Sequence, residues 1–226
     1  MKGLRFLVIL LLVCRIVTPT GITQALENAT NARDKMVALT FDDGPHPAHT
    51  DLILNILEKY NVKATFFVIG QNAESYPEPL KRAYREGHEI ENHSYDHKTK
   101  GKSAIELTES IQKTSRIIQE LTGASPLFFR PPCGKNTEAV KAAVSELSLS
   151  PVFWTIDAED WTGKTAETMA RDILREAKGH EVILLHDYTC PGHHTMHALP
   201  AIIEGLLEKG YRFVTIAEYF DKIERK

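Results

Sequence analysis

The chain has 226 residues, of which 42% are hydrophobic and 25% are charged, and its formal net charge is −3 at pH 7. This length predicts one domain with a sizeable core, and the slight acidic excess disfavours a nucleic-acid partner. Three cysteines are too few for a scaffold built on disulfides. The short basic cluster of Lys98, Lys100 and Lys102 is explained more simply by a solvated loop than by a binding patch.

The first 25 residues have the pattern of a secretory signal peptide. Met1–Arg5 is basic, and Phe6–Val13 is an apolar run far shorter than the roughly 20 residues that a membrane span needs. We therefore predict a cleaved leader at 1–25 and a single domain at 26–226. Such a protein would be secreted or held in the cell envelope, without a stable membrane span.

After this leader, short apolar runs rich in β-branched and aromatic residues alternate with amphipathic stretches. Seven segments are predicted as strands: Met36–Phe41, Ala64–Ile69, His88–His93, Leu127–Pro131, Pro151–Ile156, Glu181–His186 and Arg212–Ile216. Apolar residues at helical spacing mark helices around 53–60, 103–121 and 199–207. The second of these helices begins with a Ser103–Glu106 capping box and ends at Gly123. This alternation predicts an α/β fold, a distorted, incomplete (β/α) barrel with about seven parallel strands.

Polar side chains stand where these predicted strands end. They are Asp42, Asp43, His93, Arg130, Asp157 and His186. Because barrels of this type place their active sites at the carboxyl ends of the strands, we expect these side chains to meet at one end of the barrel. Imidazoles and a carboxylate are the usual protein ligands of catalytic zinc, and three of them leave a position for water. The pattern therefore points to metal-assisted hydrolysis.

The two most informative groups also have simpler structural explanations. Asp42 and Asp43 precede a Gly-Pro pair, and acids at such positions often only accept hydrogen bonds from turn amides. His93 and His97 alone could be a pair of surface histidines. Their joint occurrence at predicted strand ends favours the functional explanation.

Two further groups of histidines could compete as metal sites. His193, His194 and His197 repeat the same spacing, but they lie in a segment flanked by Pro and Gly without paired acids. We predict a lid or substrate loop there. His46 and His49 are assigned to a solvated loop.

Together these motifs resemble those of the polysaccharide deacetylases with a NodB homology domain, also called carbohydrate esterase family 4. Five motifs stand in the family order over nearly the whole mature chain: Thr-Phe-Asp-Asp-Gly at 40–44, His-Ser-x-x-His at 93–97, Arg-Pro-Pro-x-Gly at 130–134, Asp-x-x-Asp-Trp at 157–161 and Leu-Leu-His-Asp at 184–187. One such motif is a weak signal, whereas five in order are specific.

The resemblance implies a metal site and a general base. Asp43, His93 and His97 match the ligands of a divalent metal, with Zn²⁺ as the first choice and Co²⁺ or Ni²⁺ as alternatives. Asp42 matches the base that takes a proton from the attacking water. Arg130 matches the residue that orients this base, a task that suits the planar guanidinium fork.

The resemblance also implies an acid and the walls of a cleft. His186 matches the general acid that protonates the departing amine, and Asp160 is the first choice for its carboxylate partner, with Asp157 second. Trp161 and Leu184 match residues that line the cleft around the sugar ring and the acetyl methyl group.

Cys133 and Cys190 follow the third and fifth motifs. The backbone amide of Cys133 matches an oxyanion donor, although many relatives carry an aromatic residue or glycine at this position, which affects the cleft wall and substrate choice. The two cysteines could form a disulfide between neighbouring loops in an exported protein. Two separate thiols are the alternative.

The sequence therefore predicts a secreted, monomeric, metal-dependent polysaccharide N-deacetylase, a hydrolase of linear amides. Its predicted substrates are N-acetylglucosamine units of peptidoglycan or chitin, and an O-acetyl xylan esterase is the nearest variant. A glycan-binding protein without turnover would not need Asp42, Arg130 and His186 together. An amidohydrolase acting on small cyclic amides fits poorly with a secretory leader, because such enzymes usually work in the cytoplasm.

Overall fold

A computed structural model describes residues 35–188 and 194–225 of the chain. The predicted leader at 1–25 lies outside the described residues, as do Cys190 and His193. Within the described ranges, one curled sheet of parallel strands is surrounded by helices. None of these helices is long and apolar enough to cross a membrane.

Eight parallel strands form the sheet in the described part of the chain. They are β1 (Met36–Asp42), β2 (Thr65–Val68), β3 (Glu89–Asn92), β4 (Phe128–Phe129), β5 (Ser150–Pro151), β6 (Ile156–Asp157), β7 (His180–His186) and β8 (Arg212–Phe213). Seven of them follow one another in the order β5-β4-β3-β2-β1-β7-β6, and β8 pairs with the first residues of β1. Every pairing is parallel.

Helices connect these strands, as the predicted β/α alternation requires. They are α1 (His49–Lys59), α2 (Gly70–Ser75), α3 (Pro77–Arg85), α4 (Ala104–Thr122), α5 (Glu138–Glu146), α6 (Ala166–Glu176), α7 (His194–Glu208) and α8 (Ile216–Glu224). The capping box of α4 is confirmed, since the Ser103 hydroxyl accepts the Glu106 amide and the Glu106 carboxylate accepts the Ser103 amide. Gly123 ends α4 at a φ of 79°, in the left-handed region where glycine is favoured.

The segment between β5 and β6 joins the two edges of the sheet. On one side the Val152 amide donates to the Phe129 carbonyl at 2.9 Å, and on the other the Thr155 amide donates to the Val182 carbonyl at 2.9 Å. Because an extended chain advances only about 3.3–3.6 Å per residue, these bonds hold the edges of the sheet close together. The sheet therefore curls into the predicted incomplete (β/α) barrel.

The prediction of one strand at Pro151–Ile156 is wrong. Its two ends form β5 and β6, which pair with β4 and β7 at opposite edges of the sheet. Apolar and β-branched residues indicate extended backbone but do not show which neighbour each residue pairs with. The predicted strand Arg212–Ile216 is also too long, because the carboxylate of Glu89 accepts the Ile216 amide where α8 begins.

Strand β1 shows how the fold places its polar residues. Val37, Leu39 and Phe41 belong to the core beneath the surrounding helices. Met36 and Ala38 belong to a second core inside the barrel. Side chains alternate between the two faces of a strand, so Thr40 and Asp42 continue the inner face. Asp42 therefore lies inside the barrel at the carboxyl end of β1.

Candidate active site

Three side chains that the motifs single out converge at the carboxyl ends of β1 and β3. The Nε2 atoms of His93 and His97 lie 3.4 and 3.3 Å from Oδ1 of Asp43. This oxygen is buried, and no hydrogen bond satisfies it among the described residues. Ligands about 2.0–2.1 Å from a tetrahedral zinc lie about 3.4 Å from one another, so the spacing of these donors fits a bound metal.

A hydrogen bond fixes the orientation of the His93 imidazole. Its Nδ1 lies 2.7 Å from the Arg130 carbonyl oxygen, which can only accept. Nδ1 therefore carries the proton, and the lone pair of Nε2 points toward Asp43. Histidine ligands of metals are commonly oriented by such a bond on their other ring nitrogen.

Left-handed backbone places the remaining donors of this set. Asp43, Ser94 and His97 have φ values of 77°, 69° and 56°. Residues other than glycine rarely adopt this conformation, which costs on the order of 1–3 kcal/mol each and occurs mainly where the surrounding structure enforces it. Here the Asn72 side chain donates to the Asp43 carbonyl at 2.7 Å, and the His97 amide donates to the Ser94 hydroxyl at 3.1 Å.

The protonation states of these groups suit metal binding. Burial raises the pKa of Asp43, but the neighbouring imidazoles of His93 and His97 outweigh it and hold the pKa below its ordinary value. Burial lowers the pKa of His97 below the ordinary value for histidine. A carboxylate and neutral imidazoles are the forms that bind a metal.

Asp42 differs from its neighbour because a buried arginine holds it. Nη1 of Arg130 donates to Oδ1 of Asp42 at 2.7 Å and to the Thr40 hydroxyl at 2.8 Å. Arg130 is fully buried, and Asp42 is 3% exposed. The second oxygen of Asp42 lies 3.7 Å from Nε2 of His93, so it faces the metal-binding set.

A second buried carboxylate holds His186. Nδ1 of His186 lies 2.7 Å from Oδ1 of Asp160, and Oδ2 accepts the His186 amide at 2.8 Å and the Thr195 hydroxyl at 2.6 Å. Burial lowers the pKa of His186, but the hydrogen bond and charge of Asp160, with the charges of Asp42 and Asp43, raise it to about 9. His186 is therefore a cation near neutral pH.

Eight of the ten predicted site residues line one open cleft of about 460 Å³. They are Asp42, Asp43, His93, His97, Cys133, Trp161, Leu184 and His186. Arg130 and Asp160 lie behind this wall, where they contact Asp42 and His186. Asp157 is not the partner of His186. It lines the cleft, and its carboxylate accepts the Glu159 amide.

Sequence reasoning missed Trp154, which also lines the cleft. It precedes the fourth motif by three residues, within the segment that was predicted as a single strand. An aromatic residue there looks like part of a core, because the sequence does not show that the segment crosses between two edges of the sheet.

Cys133 occupies a 3₁₀ turn at Pro132–Gly134 with a φ of 54°. Its side chain is exposed and is a free cysteine in the structure, and Cys190, its proposed disulfide partner, lies outside the described residues. Among the described residues, the Cys133 amide donates to no backbone carbonyl. Because Cys133 is one of the residues that line the cleft, its amide is a candidate donor to a ligand.

Among the described residues, three of the rival histidines lie in helices and His46 lies in a loop. The predicted loop is wrong for His194 and His197, which lie in the first turn of α7, anchored where Thr195 donates to Asp160. The solvated loop predicted for His46 and His49 is wrong for His49, which begins α1, whereas His46 lies in the loop before this helix. Their rings are half-buried and stack 3.9 Å apart, and Nδ1 of His46 accepts the His49 amide at the start of α1.

Comparison with known proteins finds a matching family. The family model for polysaccharide deacetylase matches residues 29–152, more than half of the chain. This chain belongs to the polysaccharide deacetylase family. It is 42% identical over 188 residues to a peptidoglycan-N-acetylglucosamine deacetylase from Bacillus cereus, a match that covers 81% of this chain and 68% of that protein.

Solved structures of the family share the fold. The structure of the peptidoglycan deacetylase PdaC from Bacillus subtilis is 35% identical, has a TM-score of 0.78, and is matched over 86% of this chain and 94% of that chain. This chain spans 40% of the full PdaC sequence. A family 4 acetyl xylan esterase from Clostridium thermocellum in complex with a cobalt ion is 39% identical, with a TM-score of 0.78 and coverage of 83% and 91%.

Proposed function

We propose that this chain is a secreted, metal-dependent hydrolase that removes N-acetyl groups from N-acetylglucosamine units of peptidoglycan. One observation carries the proposal. A three-donor metal-binding set, a carboxylate held by a buried arginine and a cationic histidine face the same cleft. The similarity to a relative named as a peptidoglycan-N-acetylglucosamine deacetylase supports the choice of substrate.

Asp43, His93 and His97 would hold the metal, with Zn²⁺ as the first choice. When bound, it would supply Lewis-acid chemistry that polarises the acetyl carbonyl and activates a water. The unsatisfied oxygen of Asp43 and the oriented Nε2 of His93 support this assignment. The cobalt ion in the xylan esterase relative supports metal dependence but does not select the metal for this chain.

Asp42 is placed to act as the general base. Arg130 occupies one of its oxygens, so the other can accept a proton from the water that attacks the acetyl carbon. The new C–O bond turns the carbonyl oxygen into an oxyanion. The backbone amide of Cys133, a residue that lines the cleft, would donate a hydrogen bond to that oxygen.

His186 is placed to act as the general acid. Asp160 holds Nδ1, so Nε2 of the cation can donate a proton to the sugar nitrogen as the C–N bond breaks. The products are acetate and a free amine. Trp161 is 60% exposed and offers an aromatic face to a sugar ring, and buried Leu184 offers an apolar surface to the acetyl methyl group.

An O-acetyl xylan esterase is the second candidate, favoured by the relative from Clostridium thermocellum. The same groups can cleave an ester, but an alkoxide leaves more readily than an unprotonated amide nitrogen and therefore depends less on the cationic acid. The geometry of His186 with Asp160 therefore favours an amide substrate. A binding protein without turnover would not need the base and the acid together.

Export of the protein is proposed from sequence alone. The basic start and apolar run within residues 1–25 support a cleaved leader, with the deacetylase domain at 26–226. A monomer is proposed for the mature protein.

Acetate release from purified peptidoglycan, N-acetylglucosamine oligosaccharides and acetylxylan tests the proposed function. The enzyme is stripped with a chelator and then assayed without metal and with zinc, cobalt or nickel. We expect metal-dependent release that is fastest from peptidoglycan. Release from acetylxylan alone would replace the deacetylase with an esterase, and release from none of the three substrates would refute both.

A further inference from the structure

We propose that Trp154 is a positioning residue of this site, because its indole supports both the Arg130 guanidinium and the Pro132–Gly134 turn. The proposal rests on the proposed function, since it assigns a role in the same reaction. Trp154 would act through Asp42, which Arg130 orients, and through the backbone amide of Cys133.

The first contact of Trp154 is with Arg130. The guanidinium carbon of Arg130 lies 4.1 Å from the Phe67 ring centroid and 5.8 Å from that of Trp154. Guanidinium groups favour the faces of aromatic rings, and Trp gives the strongest such contact. Nη2 of Arg130 has no hydrogen bond among the described residues. Hydrogen bonds hold Nη1 and, through the Val152 carbonyl at 3.4 Å, Nε, and the two rings limit the movement of the Nη2 side of the guanidinium.

The second contact is with the turn that carries Cys133. A Cβ added to Gly134 would lie 2.9 Å from Cη2 of Trp154, closer than a carbon atom normally approaches. The indole edge therefore rests against the backbone of this turn. Because the Cys133 amide belongs to the same turn, a shift of the indole would let this donor move.

The backbone of Trp154 is held from both sides. The Val152 amide is bonded to β4, and the Thr155 amide is bonded to β7. The half-buried indole packs against the core inside the barrel and also lines the cleft. Trp154 thus links the closure of the barrel to the orientation of the base and of the oxyanion donor.

Substitution of Trp154 distinguishes positioning from direct sugar binding. Steady-state kinetics of Trp154→Leu and Trp154→Phe would be measured on a soluble N-acetylglucosamine oligosaccharide and on 4-nitrophenyl acetate, an acetyl ester without a sugar. A positioning role predicts that Trp154→Leu lowers kcat about 10- to 100-fold on both substrates with little change in KM. Trp154→Phe, which keeps an aromatic face, should retain most of the activity.

Gly134→Ala tests the same contact from the other side, because its new Cβ would push against the indole. Gly123→Ala is the matched control, since it adds a side chain at a similar positive φ where nothing lies within 4 Å. We expect Gly134→Ala to lower kcat and Gly123→Ala to leave it unchanged. In the Trp154→Leu background, the loss from Gly134→Ala should shrink, because residues in contact are not additive.

Three results would overturn the role of Trp154: unchanged kcat in Trp154→Leu, a loss confined to KM on the oligosaccharide, or additive losses in the double variant. If Trp154→Leu does not fold, equal kinetics of wild type, Trp154→Phe and Gly134→Ala would refute the role. Failure of the proposed function is seen separately, as a wild type that cleaves the ester but releases no acetate from the oligosaccharide.

Discussion

The adjacent acids Asp42 and Asp43 show how single residues divide the chemistry of the site. They are consecutive in sequence, yet one carboxylate is bonded to a buried arginine and the other faces two imidazoles. The alternation of β1 and the positive φ of Asp43 turn the two side chains to different partners. Both acids could be found from the sequence, but the division of roles came only from the family resemblance.

Replacement of one metal ligand should abolish tight metal binding. His97→Ala removes one of three donors, so metal content measured by elemental analysis should fall far below that of the wild type while the variant stays folded by circular dichroism. His197→Ala, which removes an exposed imidazole from α7, serves as the control and should keep the metal. Equal metal content in His97→Ala and wild type would show that the metal, if any, binds elsewhere.

The partner of His186 should control the alkaline side of the pH profile. The pKa of His186 is raised to about 9, so its acid form is present below that pH and is lost as the pH rises through it. Asp160→Asn removes the carboxylate that raises this pKa, and the alkaline fall of kcat should move to lower pH. Asp157→Asn, which changes an acid of the same cleft that is not bonded to His186, should leave that fall in place. If the alkaline fall of kcat in Asp160→Asn stays at the pH of the wild type, this result would argue against His186 as the acid.

Individual elements were predictable where local signals decide them. The capping box and Gly123 set the ends of α4, and those signals lie within a few residues of the structure that they form. The crossing from β5 to β6 was not predictable, because its backbone bonds are made to β4 and β7, which are distant in sequence. Sequence reasoning also gave no role to two carboxylates on β3.

These carboxylates, Glu89 and Glu91, tie β3 to its neighbours. Oε2 of Glu91 accepts the amides of Leu127 and Phe128, and Oε2 of Glu89 accepts the Ile216 amide at the start of α8. Burial, and then the charge of Glu89, raise the pKa of Glu91 to about 9. A buried acid with so high a pKa stays neutral near pH 7.

Glu91 should make the stability of the fold decrease with rising pH. Between about 4.5 and 9 the folded state keeps the proton on Glu91 while the unfolded chain loses it, so the free energy of unfolding falls as the pH rises. Glu91→Gln keeps the acceptor for the two amides and removes this titration. Its melting temperature should exceed that of the wild type at pH 8, and the difference should shrink toward pH 4. Glu120→Gln, at an exposed position, is the control. If the melting temperatures of Glu91→Gln and wild type change with pH in the same way, the assignment is contradicted.

At the scale of the whole molecule, the barrel explains why residues from five motifs meet. Parallel strands that curl into one barrel bring their carboxyl ends together, so Asp42, His93 and His186 face one cleft although they are far apart in sequence. The sequence could predict this meeting because all of them lie at the carboxyl ends of strands. It could not predict Trp154, whose position depends on how the edges of the sheet are joined.

The turnover of the metal-loaded Asp42→Asn variant tests most directly the central claim that Asp42 is the general base of a metal-dependent hydrolase. Asn keeps an oxygen for Arg130 and leaves Asp43, His93 and His97 in place, but it cannot accept a proton at neutral pH. Acetate release from peptidoglycan would be compared for wild type and Asp42→Asn loaded to equal zinc content. We expect unchanged metal content and a loss of turnover of about 10²–10⁴-fold. Near-wild-type release by the metal-loaded variant would contradict the account.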